Sequence, residues 1–284
     1  MKENILYITD LDGTLLNNSK EVSDFAKTTL NALIANGVNF SIASARTAAS
    51  ATKILSGLNI NIPVVLMNGV IIYDIQRNNY IKTEYIPVNA VEAVLNTLEQ
   101  SGITGFMYAV RNDNLVTYYE NLDSPAMKDF YDERVRKYYK SFAQVDKFSQ
   151  QVIENEIVYF TLVDEYERLS AVLKSLETYK DINAVLYRDI YAEKLWYLEI
   201  HSKSASKRNA VNFLREYGKF SRVVGFGDNL NDIPLFMASD ECYAVSNAVR
   251  ELKEIATGVI GDNNGDAVAK FVYDREAGRG GSTL

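Results

Sequence analysis

The chain predicts an α/β protein, a parallel sheet layered with helices and interrupted by an inserted α+β unit. Three observations predict it. Apolar strand-like runs alternate with helical patterns toward both ends of the sequence, the signature of βαβ units. Two of these runs, Ile5-Leu6-Tyr7-Ile8-Thr9 and Arg222-Val223-Val224-Gly225-Phe226-Gly227, each close on acidic residues. Between about Pro87 and Ile200 the alternation gives way to strands and helices in a different order.

Taken in order, Ile5–Asp10 reads as a buried strand and Ser23–Asn36 as a helix, with Gly37 just past its end as a stop signal. Val38–Ser44 reads as a second strand, Thr47–Leu58 as a helix and Pro63–Asn68 as a third strand. The insert begins with a helix over Val88–Gln100. Strands follow near Thr104–Arg111 and Leu115–Glu120, then a helical stretch around Ala126–Lys140, then strand, helix and strands up to Ile200. Alternation resumes with a helix over Lys207–Tyr217 and persists to about Tyr273. Ala277–Ser282, rich in glycine, reads as a mobile tail. The expected division is therefore a core of residues 1–84 and 195–284 with an insert of residues 85–194.

Composition bounds the function. With 284 residues, 47% of them apolar, the chain can bury the core of one large or two ordinary domains. A net charge of −7 disfavours a broad nucleic-acid footprint, so an anionic ligand must be captured locally. Cys242 stands alone and forms no internal disulfide, and His201 is the only histidine, which argues against a Ser-His-Asp triad or a His-rich zinc site. No apolar run approaches the roughly 18 residues of a membrane span, and no leader is recognisable at Met1. A cytoplasmic protein is the expectation, with no membrane partner, no nucleic acid and no obligate protein partner evident.

The chemistry-bearing residues cluster at strand ends. In Asp10-Leu11-Asp12-Gly13-Thr14, the two-residue period of a strand lets Asp10 and Asp12 lean to one side as the chain leaves the sheet. Paired carboxylates there require a shared proton or a bound cation. Asp228 ends the second acid-terminated strand, where ligands bind in open α/β sheets, and suits a metal ligand. Asp232 falls in the first turn of the helix beginning at Ile233, where a carboxylate also suits the helix dipole. Ser44, with Ala45 and Arg46, precedes a helix starting near Thr47 and offers a hydroxyl and amides to an oxyanion, or simply a helix cap. Lys207 opens a helix against its dipole, which an anion beside it would explain.

An acidic pair, a serine, a lysine and a second acidic loop, in that order, resemble the haloacid dehalogenase superfamily of phosphotransferases. The resemblance spans roughly residues 1–84 and 195–272. The long insert, the Glu199-Ile200 strand leading to Lys207, and the loops Asn68-Gly69-Val70 and Asn247-Ala248 resemble its Cof-type sugar-phosphatase branch. Two positions depart from the family pattern. Ser44-Ala45-Arg46 stands where Thr-Gly-Arg is usual, and Ser246 where Gly precedes Asn-Ala. An alanine at positive φ would be strained by about 1 kcal/mol, whereas at negative φ its amide still serves.

The resemblance implies a Rossmann-like core with an α+β cap and a Mg²⁺-dependent phosphatase acting on a small phosphorylated metabolite, a sugar or polyol phosphate. It implies Asp10 as nucleophile, forming an aspartyl-phosphate, and Asp12 as acid and base. Mg²⁺ would be held by Asp10, the Asp12 carbonyl and Asp228, with Asp232 behind them. The phosphoryl oxygens would be held by the Leu11 amide, Ser44, Ala45, Arg46, Lys207 and Asn231. A sugar phosphomutase, a non-catalytic sugar-phosphate-binding regulator and a receiver-like module are the alternatives. In the insert, Tyr108, Arg111, Tyr118, Tyr119, Arg188 and Trp196 are expected contacts for a hydroxylated substrate.

Overall fold

Five residues of unbroken apolar and threonine sequence form the first strand, β1 (Ile5–Thr9), and all five are buried. A strand covered on both faces has no polar face to alternate, which is why its sequence reads as a continuous run. The computed structural model describes residues 3–112, 114–138, 142–153, 156–188 and 195–279. After β1 come α1 (Asp24–Ala35), β2 (Asn39–Ile42), α2 (Ala48–Ile54), β3 (Val64–Leu66), β4 (Ile71–Asp74) and β5 (Asn79–Thr83). The chain then leaves for a second compact unit, Thr83–Ala205.

That unit holds α3 (Val88–Ser101), β6 (Phe106–Arg111), β7 (Asn114–Tyr119), α4 (Pro125–Tyr138), β8 (Phe142–Gln144), β9 (Ile157–Asp164), α5 (Tyr166–Leu176), β10 (Ile182–Arg188) and β11 (Trp196–Ser202). The first unit resumes with α6 (Lys207–Tyr217), β12 (Arg222–Gly227), α7 (Ile233–Ala238), β13 (Glu241–Val245), α8 (Arg250–Ile255), β14 (Gly258–Ile260) and α9 (Ala267–Arg279).

The first unit is built on a parallel sheet in the order β14-β13-β12-β1-β2. A parallel bridge between Ala43 and Val65 carries it on toward β3. Strand succession runs outward in opposite directions from β1 and β12, so the gap between their carboxyl ends is the topological switch point. Strands β3, β4 and β5 also form a small sheet of their own.

The second unit carries a six-stranded sheet in the order β10-β11-β9-β6-β7-β8, antiparallel except where β8 joins β7. Alternate residues of its central strands, Met107, Ala109, Phe160, Leu162, Leu198 and Ile200, pack with α3 and α5 in one core. The intervening positions include Tyr108, Tyr159 and Glu199, with both Tyr159 and Tyr187 donating a phenolic hydrogen bond to the Glu199 carboxylate.

The α/β class, a parallel-sheet core with an inserted α+β cap, is as the sequence predicts, and the structure adds that the cap sheet is largely antiparallel. The boundaries differ. The contact division falls after Lys82 and after Ala205, because β11 pairs antiparallel with β9 and β10 over its whole length and belongs to the cap sheet. The expected core segment beginning at 195 therefore begins at 206. Several elements are shorter than expected, α2 ending at Ile54 and β3 at Leu66, where Met67–Gly69 turns. The expected tail is partly helix, since α9 runs to Arg279; residues 280–282 lie outside the described residues. Among the described residues, no helix is long and apolar enough to cross a membrane.

Candidate active site

The site is built where β1 and β12 end. The two strands run parallel with Thr9 opposite Phe226, and the Asp10 amide donates to the Phe226 carbonyl at 3.0 Å, one step beyond the ladder. Asp10 and Asp228 thus leave neighbouring strands at the same edge. Residues Leu11–Leu15 then wrap a wide turn closed by Leu16 N–H to the Leu11 carbonyl at 2.9 Å. Gly13 takes φ +76°, and a Cβ there would run into the Asp228 carboxylate, 2.9 Å from its Cγ. Glycine is required at this point both for the backbone and for the space it leaves to Asp228. The Thr14 hydroxyl donates to Asp228 Oδ1 at 2.9 Å.

Lys207 is the centre of charge. Its side chain is 1% exposed, and Nζ donates to Asp10 Oδ1 at 2.7 Å and to Asp232 Oδ1 at 2.6 Å. Among the described residues, Asp10, Asp228 and Asp232 form the one group of three acids whose ligand oxygens all lie within 4.8 Å of one another. Burial works against the Lys207 charge, but contact with Asp10 and Asp232 outweighs it and holds its pKa above the ordinary lysine value. Burial pushes Asp10 well above the usual carboxylate range, Lys207 pulls it back, and Asp232 and Asp228 push it up again. These two directions oppose each other, because a charged Lys207 favours an ionised Asp10; one ammonium shared by two acids leaves the site short of positive charge. Asp228 rises to about 6, first from burial and then from Asp232, against the Thr14 hydrogen bond.

Asp232 is already engaged. Beyond Lys207, its Oδ2 accepts from the amides of Asp228 and Asn229 at 3.0 and 3.1 Å, in a capping box that shapes the loop. Its sequence position allowed a dipole role, and the structure adds a buried partner for Lys207.

The remaining predicted residues divide. Ser44 is buried, and its Oγ accepts from the Arg46 amide at 3.2 Å; that bond uses a lone pair of the hydroxyl and leaves its proton to donate. Ala45 is absent from the described non-glycine residues at positive φ, so its backbone carries none of the strain the substitution raised. Arg46 forks onto Asp12, Nε to Oδ2 at 2.7 Å and Nη2 to Oδ1 at 2.5 Å, and Nη1 reaches Ser50 at 2.9 Å. Asp12 and Arg46 were expected to serve one ligand; here they face each other, with 48% of the Asp12 side chain exposed. The Leu11 side chain is buried, while Asn231 lies exposed on the loop after Asp228.

Two residues that carried no chemistry in the sequence brace the turn. Asn247 donates to the Gly13 carbonyl at 2.8 Å and accepts from the Asn263 amide at 3.1 Å. The buried Asn263 donates to the Leu16 carbonyl at 2.8 Å. Asn247-Ala248 was visible as a recurring loop, whereas Asn263 in Asp262-Asn263-Asn264-Gly265 reads only as a turn. In the second unit, Arg111 is taken by Glu156 and the Gln151 carbonyl, and Tyr118 and Trp196 pack with the apolar core, so these three serve the cap's own structure. Tyr108 lies on the opposite sheet face, buried beside Thr161.

Residues 7–272 match the family of haloacid dehalogenase-like hydrolases. A pyridoxal phosphate phosphatase of Escherichia coli is 24% identical over 276 residues, covering 93% of this chain and 96% of that protein. A solved structure from Thermotoga maritima superposes with a TM-score of 0.77 at 26% identity, over 96% of this chain and 97% of that one. A sugar phosphatase of haloacid dehalogenase subclass IIB shares the fold with a TM-score of 0.72 at 19% identity, over 95% and 98% of the two chains. The chain belongs to the haloacid dehalogenase-like hydrolase family and is a phosphatase.

Proposed function

We propose that the protein is a Mg²⁺-dependent phosphatase of small phosphorylated metabolites, sugar or polyol phosphates foremost, working through an aspartyl-phosphate on Asp10. The observation that carries this reading is the environment of Asp10, a buried carboxylate between Lys207 and Asp228 at the switch point of a parallel sheet. The donor set fits a hard divalent cation, being all oxygen, and the glycine at 13 leaves the room that the Asp228 carboxylate occupies. Asp10, Asp228 and the Asp12 main-chain carbonyl would hold the ion, while Asp232, engaged by Lys207 and two amides, stands behind them. Bound there, Mg²⁺ supplies the positive charge that an anionic nucleophile and a phosphate dianion both need.

Asp10 attacks phosphorus and the ester P–O bond breaks, leaving the phosphoryl on its carboxylate. The departing oxygen takes a proton from Asp12. Water then attacks the phosphoryl, gives a proton to Asp12, and frees inorganic phosphate and Asp10. Lys207, Ser44, Asn231 and the amides of Leu11 and Ala45 hold the phosphoryl oxygens. Arg46 fixes Asp12 at the edge of the turn, where its exposed half meets the leaving group. The range of related phosphatases, one acting on pyridoxal phosphate and one on sugars, supports a small phosphorylated metabolite as the substrate class.

The test is release of inorganic phosphate from p-nitrophenyl phosphate and from a panel of sugar phosphates. Turnover is expected with Mg²⁺ and is abolished by EDTA and by Asp10→Asn. Absence of turnover across the panel with Mg²⁺ present would refute the reading. Isomerised sugar phosphate with little free phosphate would make the protein a mutase instead.

A further inference from the structure

The loop Asn68-Gly69-Val70 has no part in the reading above, yet its backbone is the most unusual in the first unit. Met67, Asn68 and Gly69 take φ of +50°, +55° and +103°, three successive left-handed residues. Two of them are not glycine, so the conformation must be held by its surroundings. The surroundings are the candidate site. The Asn68 amide donates to the Ser44 carbonyl at 3.0 Å, and the Met67 amide donates to the Arg46 carbonyl at 3.1 Å. On its other side, Gly69 lies against the backbone of Ser206. A Cβ at residue 69 would overlap the carbonyl carbon and oxygen of Ser206 and sit 2.8 Å from its nitrogen. Ser206 caps α6, its hydroxyl accepting from the Asn209 amide at 3.1 Å, and the next residue is Lys207.

We propose that the Met67–Gly69 turn is a positioning device for the reaction: its amides set the Ser44–Arg46 loop, and Gly69 sets Ser206 and through it the Lys207 ammonium. The inference rests on the reading of Lys207 as a residue of the phosphoryl site. One small turn thus ties together two segments that lie about 160 positions apart in sequence, both of which must reach the same phosphoryl group. Contact with a backbone, rather than with a side chain tip, leaves little room for relaxation. A shift of a few tenths of an ångström at Ser206 would be carried by the α6 backbone to Lys207, whose two hydrogen bonds of 2.6 and 2.7 Å tolerate little displacement. Gly69 is therefore a positioning residue that touches no substrate.

Gly69→Ala tests it, with Gly37→Ala as control. Gly37 also has a left-handed φ, +87°, but a Cβ there meets nothing within 4 Å. Both variants carry the backbone strain and only one displaces Ser206. Gly69→Ala is expected to lower kcat for p-nitrophenyl phosphate at least tenfold with KM changed less than threefold, and Gly37→Ala to leave kcat within twofold. The same pair is then measured in a Lys207→Ala background, where Gly69→Ala is expected to cost less than twofold further. An equal loss in both backgrounds, or an unchanged kcat for folded Gly69→Ala, overturns the proposal. Should Gly69→Ala not fold, Asn68→Gly, which adds no atom, carries the test. A threefold or greater fall in kcat that persists in the Lys207→Ala background, as expected of a loosened Ser44–Arg46 loop, supports the device, and an unchanged kcat overturns it. Full activity in Lys207→Ala alone would instead strike the reading of Lys207 and is seen separately.

Discussion

Lys207 and Asp12 show how much of the site depends on single contacts. Removing the Lys207 ammonium leaves Asp10 and Asp232 buried without their counter-ion, and breaking such a pair from one side costs about 3 kcal/mol or more. Lys207→Met is expected to lower the urea midpoint in metal-free buffer accordingly, and to reduce turnover as well. Asp12 has a different signature. If it protonates the leaving oxygen, Asp12→Asn will depress turnover of a sugar phosphate far more than that of p-nitrophenyl phosphate, whose leaving group departs without a proton. Equal losses on the two substrates would count against that role. Asp12 and Asp10 were readable as a pair from a two-residue period. The fork of Arg46 on Asp12 was not, because it depends on where a side chain 34 positions away arrives.

At the scale of elements, the first unit is laced at the base of its sheet by a carboxylate that three elements share. Glu241 on β13 accepts from Arg222 on β12 at 2.7 Å and from Arg275 on α9 at 2.6 and 2.7 Å. Arg275 foremost, opposed by burial and aided by Arg222 and Tyr243, holds the Glu241 pKa down to about 2 from an ordinary 4.5. A depressed carboxylate adds stability that is complete above its ordinary value and is lost as pH falls from about 4.5 toward 2. Glu241→Gln is therefore expected to lower the thermal midpoint at pH 7 and to flatten its fall between those pH values, as followed by circular dichroism. The elements themselves were largely legible: helix α6 and strands β1, β12 and β6 lie where periodicity put them. Their ends were less so, since the last hydrogen bonds of α2 and β3 are decided by the turns that follow.

The whole molecule divides by contacts after Lys82 and after Ala205, and each unit has its own sheet. The catalytic candidates Asp10, Asp12, Ser44, Lys207 and Asp228 all belong to the first unit. A protein in which residues 1–82 are joined by a short linker to residues 206–284 is expected to fold and to hydrolyse p-nitrophenyl phosphate. The Lys82 ammonium lies 5.2 Å from the Phe213 ring of α6, so the chain exits beside the helix at which it re-enters. Such a core should lose discrimination among phosphorylated metabolites, because specificity is expected from the cap. Comparing kcat/KM across a metabolite panel for the core and for the full chain decides this.

By itself the sequence determined the fold class, the order of the elements and the identity of the acids, serine and lysine that form the candidate site. Those features are local: a buried strand, an amphipathic helix and a glycine turn each write a short-range pattern. Only the tertiary structure decided that β11 lies within the cap sheet, that Arg46 pairs with Asp12, that Asp232 anchors Lys207, and that the turn at Met67–Gly69 lies against Ser206. Each of those is a contact between distant segments, and strand partners and ion pairs of that kind are selected by packing and by charge neutralisation in three dimensions, for which a linear pattern carries no period.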